Sequence, residues 1–154
     1  MAFEHKSLTA LIEQDFLDLI AAERRESSIL EYKSELYEPN DHGSREFLLD
    51  VCMFANASGG TVLIGIPELR DAENKPTGLP DSQAPLGVNC PNPEHTLLAL
   101  EARIVEAIDE RLPVELSAIP CDNNKFVLAV RVPNSLAKPH RRSVQGPYLL
   151  PKSA

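Results

Sequence analysis

The chain has no tryptophan, and only five phenylalanines and three tyrosines in 154 residues. That leaves little ring surface for a site built on stacking. Its three cysteines, Cys52, Cys90 and Cys121, are odd in number, widely spaced and without any Cys-x-x-Cys. This excludes a disulfide or zinc framework and predicts reduced thiols. The four histidines, His5, His42, His95 and His140, are equally scattered, so no zinc-ligand spacing arises. No apolar run approaches the roughly 20 residues of a membrane helix, so no membrane partner is expected. The opening MAFEHKSLTALIEQDF carries acids inside its apolar run and lacks a small-residue cleavage site. That argues against a secretory leader and for a cytoplasmic protein.

Positive charge is also scarce. The formal net charge is -8, the wrong sign for a dedicated polyanion binder. The charge is uneven, however. No acid follows Asp122, whereas Lys125, Arg131, Lys138, Arg141, Arg142 and Lys152 do. Those six cations leave -14 on the rest of the chain, since -14 + 6 = -8. The plain reading of this basic stretch is a solubilising tail; the functional one is a phosphate-contacting region.

Composition is otherwise that of one globular domain, with 43% hydrophobic and 25% charged residues. Leu8, Leu11, Ile12, Phe16, Leu19 and Ile20 recur at helical spacing, which predicts a helix over 8–24 capped by Ser7 or Thr9. SILEYKS reads as a short strand. Ser44 is the expected cap of a second helix over 45–57, and TVLIGI (61–66) reads as a strand buried on both faces. Residues 67–93 hold six of the 13 prolines and are expected to be a long loop without strands. Asn92 and Pro93 open a third helix over 94–111. VELSAIP and FVLAVRV form a hairpin, and PYLL is a candidate last strand. The expected fold is α/β: a mixed sheet of about five strands with three helices packed on it. Residues 1–25 would form a lead-in helix and 26–152 the domain proper.

Two stretches can carry chemistry. In ESSILEYK (26–33), strand alternation puts Glu31 and Lys33 on one face and Leu30 and Tyr32 on the other. Glu26 joins Glu31 only if the chain bends at Ser27 and Ser28. Two carboxylates and an ammonium together can hold a divalent metal and a phosphate; the bland alternative is a surface ion pair of little energetic weight. In FANASGGTVLIG, Asn56, Gly59, Gly60 and Gly65 surround a helix end and a strand. The glycines serve either packing or the close approach of a ligand. They precede a strand rather than a helix, so this is no Walker or Rossmann phosphate loop.

Together, ESSILEYK, FANASGGTVLIGI, VLAVRVPNSLAKPH and the closing PYLL resemble the Schlafen AlbA-like domain, a family described as DNA-binding. The resemblance spans roughly residues 26–151. It implies a nucleic-acid-binding α/β domain, of DNA or RNA, such as stands at the N-terminus of bacterial transcriptional regulators and helicase-like proteins. Lys33, Arg131, Lys138, His140, Arg141 and Arg142 would then contact the phosphate backbone, with little base readout. Animal Schlafens also cleave structured RNA with three carboxylates and a divalent metal. Glu26 and Glu31 match two of these, and Lys33 stands with them as a catalytic candidate. Pro67 or Glu68 occupies the place of the third, an Asp; Glu68 is the oxygen ligand available. The second reading is therefore an endoribonuclease using Mg or Mn. A third is an interaction module that pairs with a second copy through an exposed edge strand.

Overall fold

The computed structural model describes residues 3–108 and 112–134. A four-stranded mixed sheet runs in the order β1-β2-β6-β5: β1 is Leu30–Lys33, β2 Gly60–Ile64, β5 Glu115–Pro120 and β6 Phe126–Val132. β1 lies parallel to β2, with Glu31 opposite Val62 and Lys33 opposite Ile64. β6 is antiparallel to both β2 and β5. A separate hairpin pairs β3 (Glu68–Arg70) with β4 (Pro76–Pro80). The fold is thus the expected α/β mixed-sheet domain, with three α-helices among the described residues. The expected β5–β6 hairpin turns at Asp122–Asn124, with Asn124 at φ 62°. PYLL, the proposed last strand, lies outside the described residues.

Each face of the sheet has its own cover. Helix α2 (Asp41–Asn56) and helix α3 (Pro93–Ala107) close one face, where Phe47, Val51, Leu100 and Ile104 pack on Val62, Ile64, Leu128 and Val130. On the other face Phe3, Leu8, Leu11, Phe16 and Leu19 pack on Leu30, Tyr32, Leu63, Val127 and Ala129. β2 is buried on both faces, which is why TVLI has no polar alternation. Leu30 and Tyr32 point into the second core, as the strand pattern required. The three cysteines are buried free thiols. Burial pushes Cys52 and Cys121 up to about 11, so neither thiol is a nucleophile at neutral pH.

Four local expectations need correction. The first concerns the N-terminal helix, which is broken: a 3-10 turn at Leu8–Ala10 is followed by α1 at Glu13–Ala21. Leu11 and Ile12 are extended, and Asp15 reaches back to accept from the Ile12 amide at 2.9 Å. Ile12 consequently faces solvent, 57% exposed. Ser7 and Thr9 bond each other at 2.9 Å rather than capping anything. Helix α2, second, starts earlier than expected: Asn40 caps it, accepting from Gly43 N at 2.9 Å, and Ser44 lies one turn inside.

Third, the proline-rich segment does contain strands. Pro76 and Pro80 sit at the two ends of β4, where a missing N–H costs least. Asp71 Oδ1 accepts from the amides of Glu73 and Lys75, both at 2.9 Å, and so builds the hairpin tip. Fourth, α3 ends at Ala107, sooner than the apolar stripe suggested, though Asn92 caps it as expected by accepting from His95 N at 3.1 Å.

The N-terminal layer is a core element, not an appendage. Phe16 is fully buried, so Phe16→Ala is expected to cost about 3–5 kcal/mol in urea unfolding. A cost below about 1 kcal/mol would show that this layer does not pack on the sheet in solution.

Candidate functional site

The glycine motif is explained inside the fold. Helix α2 ends at Asn56, and Gly59 adopts φ +78° while its amide donates to Phe54 O at 2.8 Å. A Cβ on Gly59 would meet the backbone of Val132 and Asn134 at 2.8 Å. On Gly60 it would strike the Phe54 ring. Gly65 (φ +111°) packs against Gly87 and donates to Lys33 O at 2.7 Å. Asn56 is buried at the helix end. These residues set the path from α2 into β2 and the pairing of β2 with β1. Of the two readings of the double glycine, packing is the one its neighbours fill.

The acidic motif is different. Ser27 and Leu30 exchange backbone hydrogen bonds at 3.0 and 3.3 Å, so the chain bends at Ser28 and Ile29. That bend turns Glu26 back along the open edge of β1, where its Oε2 accepts from Tyr32 N at 2.7 Å. The Glu26 amide donates to Gly78 O, and the Gly78 amide donates to Glu68 Oε2, each at 2.7 Å. One residue of β4 thus ties Glu26 and Glu68 together. On the α2 side, Glu31 neighbours Asp50. Asp50 Oδ2 accepts from the Tyr37 hydroxyl at 2.7 Å. Lys33 Nζ stands 3.2 Å from Glu46 and 3.8 Å from Asp50, and 4.9 Å from the centre of the Tyr37 ring.

The four carboxylates form a row in which each acts on the next: Glu68, Glu26, Glu31, Asp50. Burial raises the Glu26 carboxyl above its ordinary value; the Tyr32 amide opposes the rise and Glu68 adds to it. Burial, then Asp50, pushes Glu31 up to about 7, with Lys33 pulling the other way. Glu31 Oε2 is buried without a hydrogen-bond partner. The Tyr37 hydroxyl is raised above its ordinary value by burial and by Asp50, so it stays a proton donor. Among the described residues no three Asp, Glu, His or Cys side chains are grouped to hold a metal ion. The carboxylates are paired instead, Glu26 with Glu68 and Glu31 with Asp50.

Among the predicted site residues, then, Glu26, Glu31, Lys33 and Glu68 come together. Arg131 does not join them. It sits on the opposite face of the sheet, where its guanidinium donates to Lys6 O at 2.7 Å and Phe3 O at 3.4 Å and holds the N-terminal layer. Lys138, His140, Arg141 and Arg142 lie outside the described residues. Asp50, Glu46 and Tyr37 went unnoticed in the sequence. The signal for Asp50 was there: it is an acid inside the apolar run FLLDVCMF, and the only carboxylate of that run is 15% exposed at its side chain.

A protein-family model described as Schlafen, AlbA_2 matches residues 26–149. The chain belongs to the Schlafen AlbA_2 family. Its acidic row lies wholly within the matched span, whereas the N-terminal layer precedes it. Among solved structures, the chain resembles the N-terminal domain of an ATP-dependent DNA helicase RecG-related protein from Nitrosomonas europaea, determined in solution by NMR. The TM-score is 0.62 at 20% identity, over 89% of this chain and 84% of that one. A search among curated proteins finds none that matches. No helix among the described residues is long and apolar enough to cross a membrane.

The raised Glu31 carboxyl has a consequence for stability. The folded state holds the proton that the unfolded chain releases near the ordinary value of 4.5, and keeps it to about 7. Stability contributed by Glu31 is therefore full below about 4.5 and falls as the pH rises to about 7. Glu31→Gln should raise the thermal midpoint at pH 8 by roughly 3–6 °C, about 1–2 kcal/mol, and the two proteins should converge at pH 4. A difference that does not change with pH would show that Glu31 is ionised and unstrained in the fold.

Proposed function

We propose that this Schlafen AlbA_2 domain binds nucleic acid, DNA or RNA, through its phosphate backbone. Family membership supports this reading, as does the likeness to a domain of a DNA helicase-related protein. The observation that carries it is the carboxylate row beside Lys33, at the family's own acidic motif. A row of four acids with one ammonium repels phosphate unless a cation intervenes. Mg or Mn suits such a place, because Mg is ordinarily held by one or two carboxylates with phosphate oxygens and waters completing its shell. The paired arrangement and the orphaned Glu31 oxygen fit that mode better than an all-protein cage. Glu26 with Glu68, and Glu31 with Asp50, would hold the ions, and Lys33 would meet a phosphate oxygen directly. Lys138, His140, Arg141 and Arg142 would add backbone contacts from the C-terminal segment. A role in a cytoplasmic transcriptional regulator accords with this reading. In a homodimer, β5 is the freer edge, because Glu26 already occupies the outward Tyr32 amide of β1.

Binding should weaken steeply with salt, and removal of each phosphate-contacting cation should lower the salt slope by about one. An anisotropy titration of labelled single-stranded and duplex oligonucleotides in rising KCl, with and without MgCl2, measures this. No binding at the lowest salt, with Mg present, would sink the proposal.

A second reading, metal-dependent RNA cleavage, is favoured by one further feature: burial and Asp50 push the Glu31 carboxyl up to about 7, in the range where a general base works best. Glu26, Glu31 and Lys33 would be the catalytic groups and Glu68 a metal ligand; the metal would supply charge neutralisation at the phosphate. Cleavage of structured RNA should require Mg or Mn and fall at least 100-fold in Glu31→Ala, with the fold confirmed by circular dichroism. Equal cleavage by the variant would assign the activity elsewhere.

A further inference from the structure

Beside the acidic row lies an open cavity of about 400 Å3 between the 36–39 segment and one face of α3. That volume is in the range of small-ligand sites. Pro39, Ile64 and Leu100 give it apolar walls, and Tyr37 joins it to the row. The Tyr37 hydroxyl serves Asp50, while the residue also lines the cavity. Arg103 is the cationic residue on the wall. Its Nη1 is buried and has no hydrogen-bond partner. A buried guanidinium nitrogen without an acceptor is costly, and such orphans mark places where something else supplies the partner.

The surroundings narrow the choice. Glu38 also lines the cavity, and Asp50 and Glu46 stand just beyond Tyr37 and Lys33. This acidic neighbourhood disfavours a free anion. A neutral, flat ring with apolar faces and a carbonyl oxygen satisfies both the walls and Arg103. We propose that the cavity receives one extruded nucleobase, whose exocyclic carbonyl oxygen accepts from Arg103 Nη1. The inference rests on the nucleic-acid reading above and adds to it a base-selective step. Guanine, uracil, thymine and cytosine each offer an exocyclic carbonyl, whereas adenine offers none. A base already unpaired costs less to insert, so single strands are the preferred substrate. The scarcity of aromatic residues is consistent with one base, not a stacked run.

The test uses the full chain and two variants. Arg103→Leu removes the donor and also the orphaned charge, so the fold should survive. Ala99→Trp fills the cavity from its rim and leaves Arg103 in place. In amide NMR spectra, guanosine should shift the signals of residues 36–38 and 95–103 in the wild type, adenosine much less, and neither in the variants. Each variant should lose roughly tenfold in affinity for a guanine-bearing single strand while keeping its affinity for an all-adenine strand. No guanosine-induced shifts, or oligonucleotide binding that both variants leave intact, overturns the cavity proposal and spares the backbone reading. A wild type that binds no oligonucleotide at low salt overturns both.

Discussion

Parallel pairing of β1 with β2 decides where every charged group of the site stands. With Glu31 opposite Val62 and Lys33 opposite Ile64, the acidic strand is locked to a strand buried on both faces. Its even residues enter one core, so its odd ones must face α2. That places Glu31 against Asp50 and Lys33 against Glu46. A slip of one residue would bury both charges under the N-terminal layer. The glycines matter chiefly because they make this pairing reachable: Gly59 turns the chain out of α2 and Gly65 donates to Lys33 O.

What the site gains from this geometry is set against stability. Glu31 is held partly out of water beside another carboxylate, with an oxygen that nothing in the protein satisfies. Well-packed apolar residues would serve the fold better there. Such local conflict between stability and chemistry is the usual physical mark of a functional site. The row and the cavity also share a wall. Tyr37 packs edge-on against Phe47 at 5.0 Å, binds Asp50 and carries Lys33 over its ring.

Much of this was legible in the sequence, for reasons that differ by element. β2 was legible because double-sided burial leaves a run without polar alternation, and the β5–β6 hairpin because turn residues interrupt two apolar runs. A bend ahead of β1 was legible as a condition, since without one Glu26 could not reach the site; it falls at Ser28 and Ile29, one residue later than Ser27 and Ser28. The N-terminal break was hidden, since Leu11 and Ile12 keep helical spacing even though α1 starts only after them, with Asp15 accepting from the Ile12 amide at its N-terminus. The β3–β4 hairpin was hidden by its prolines, which sit at strand ends, where they do no harm. The approach of Asp50 to Glu31, like the cavity, depends on tertiary packing. Nothing in the spacing of residues 36–39 and α3 says that they enclose a space.

The layer made by Phe3, Leu8, Leu11, Phe16 and Leu19 lies ahead of the family match, which starts at residue 26. The matched module therefore has a bare back without the segment that precedes it. Any relative built only on the matched span must roof the same strip with a different segment. Variation among such roofs would leave the acidic side untouched, since the two lie on opposite sides of one sheet.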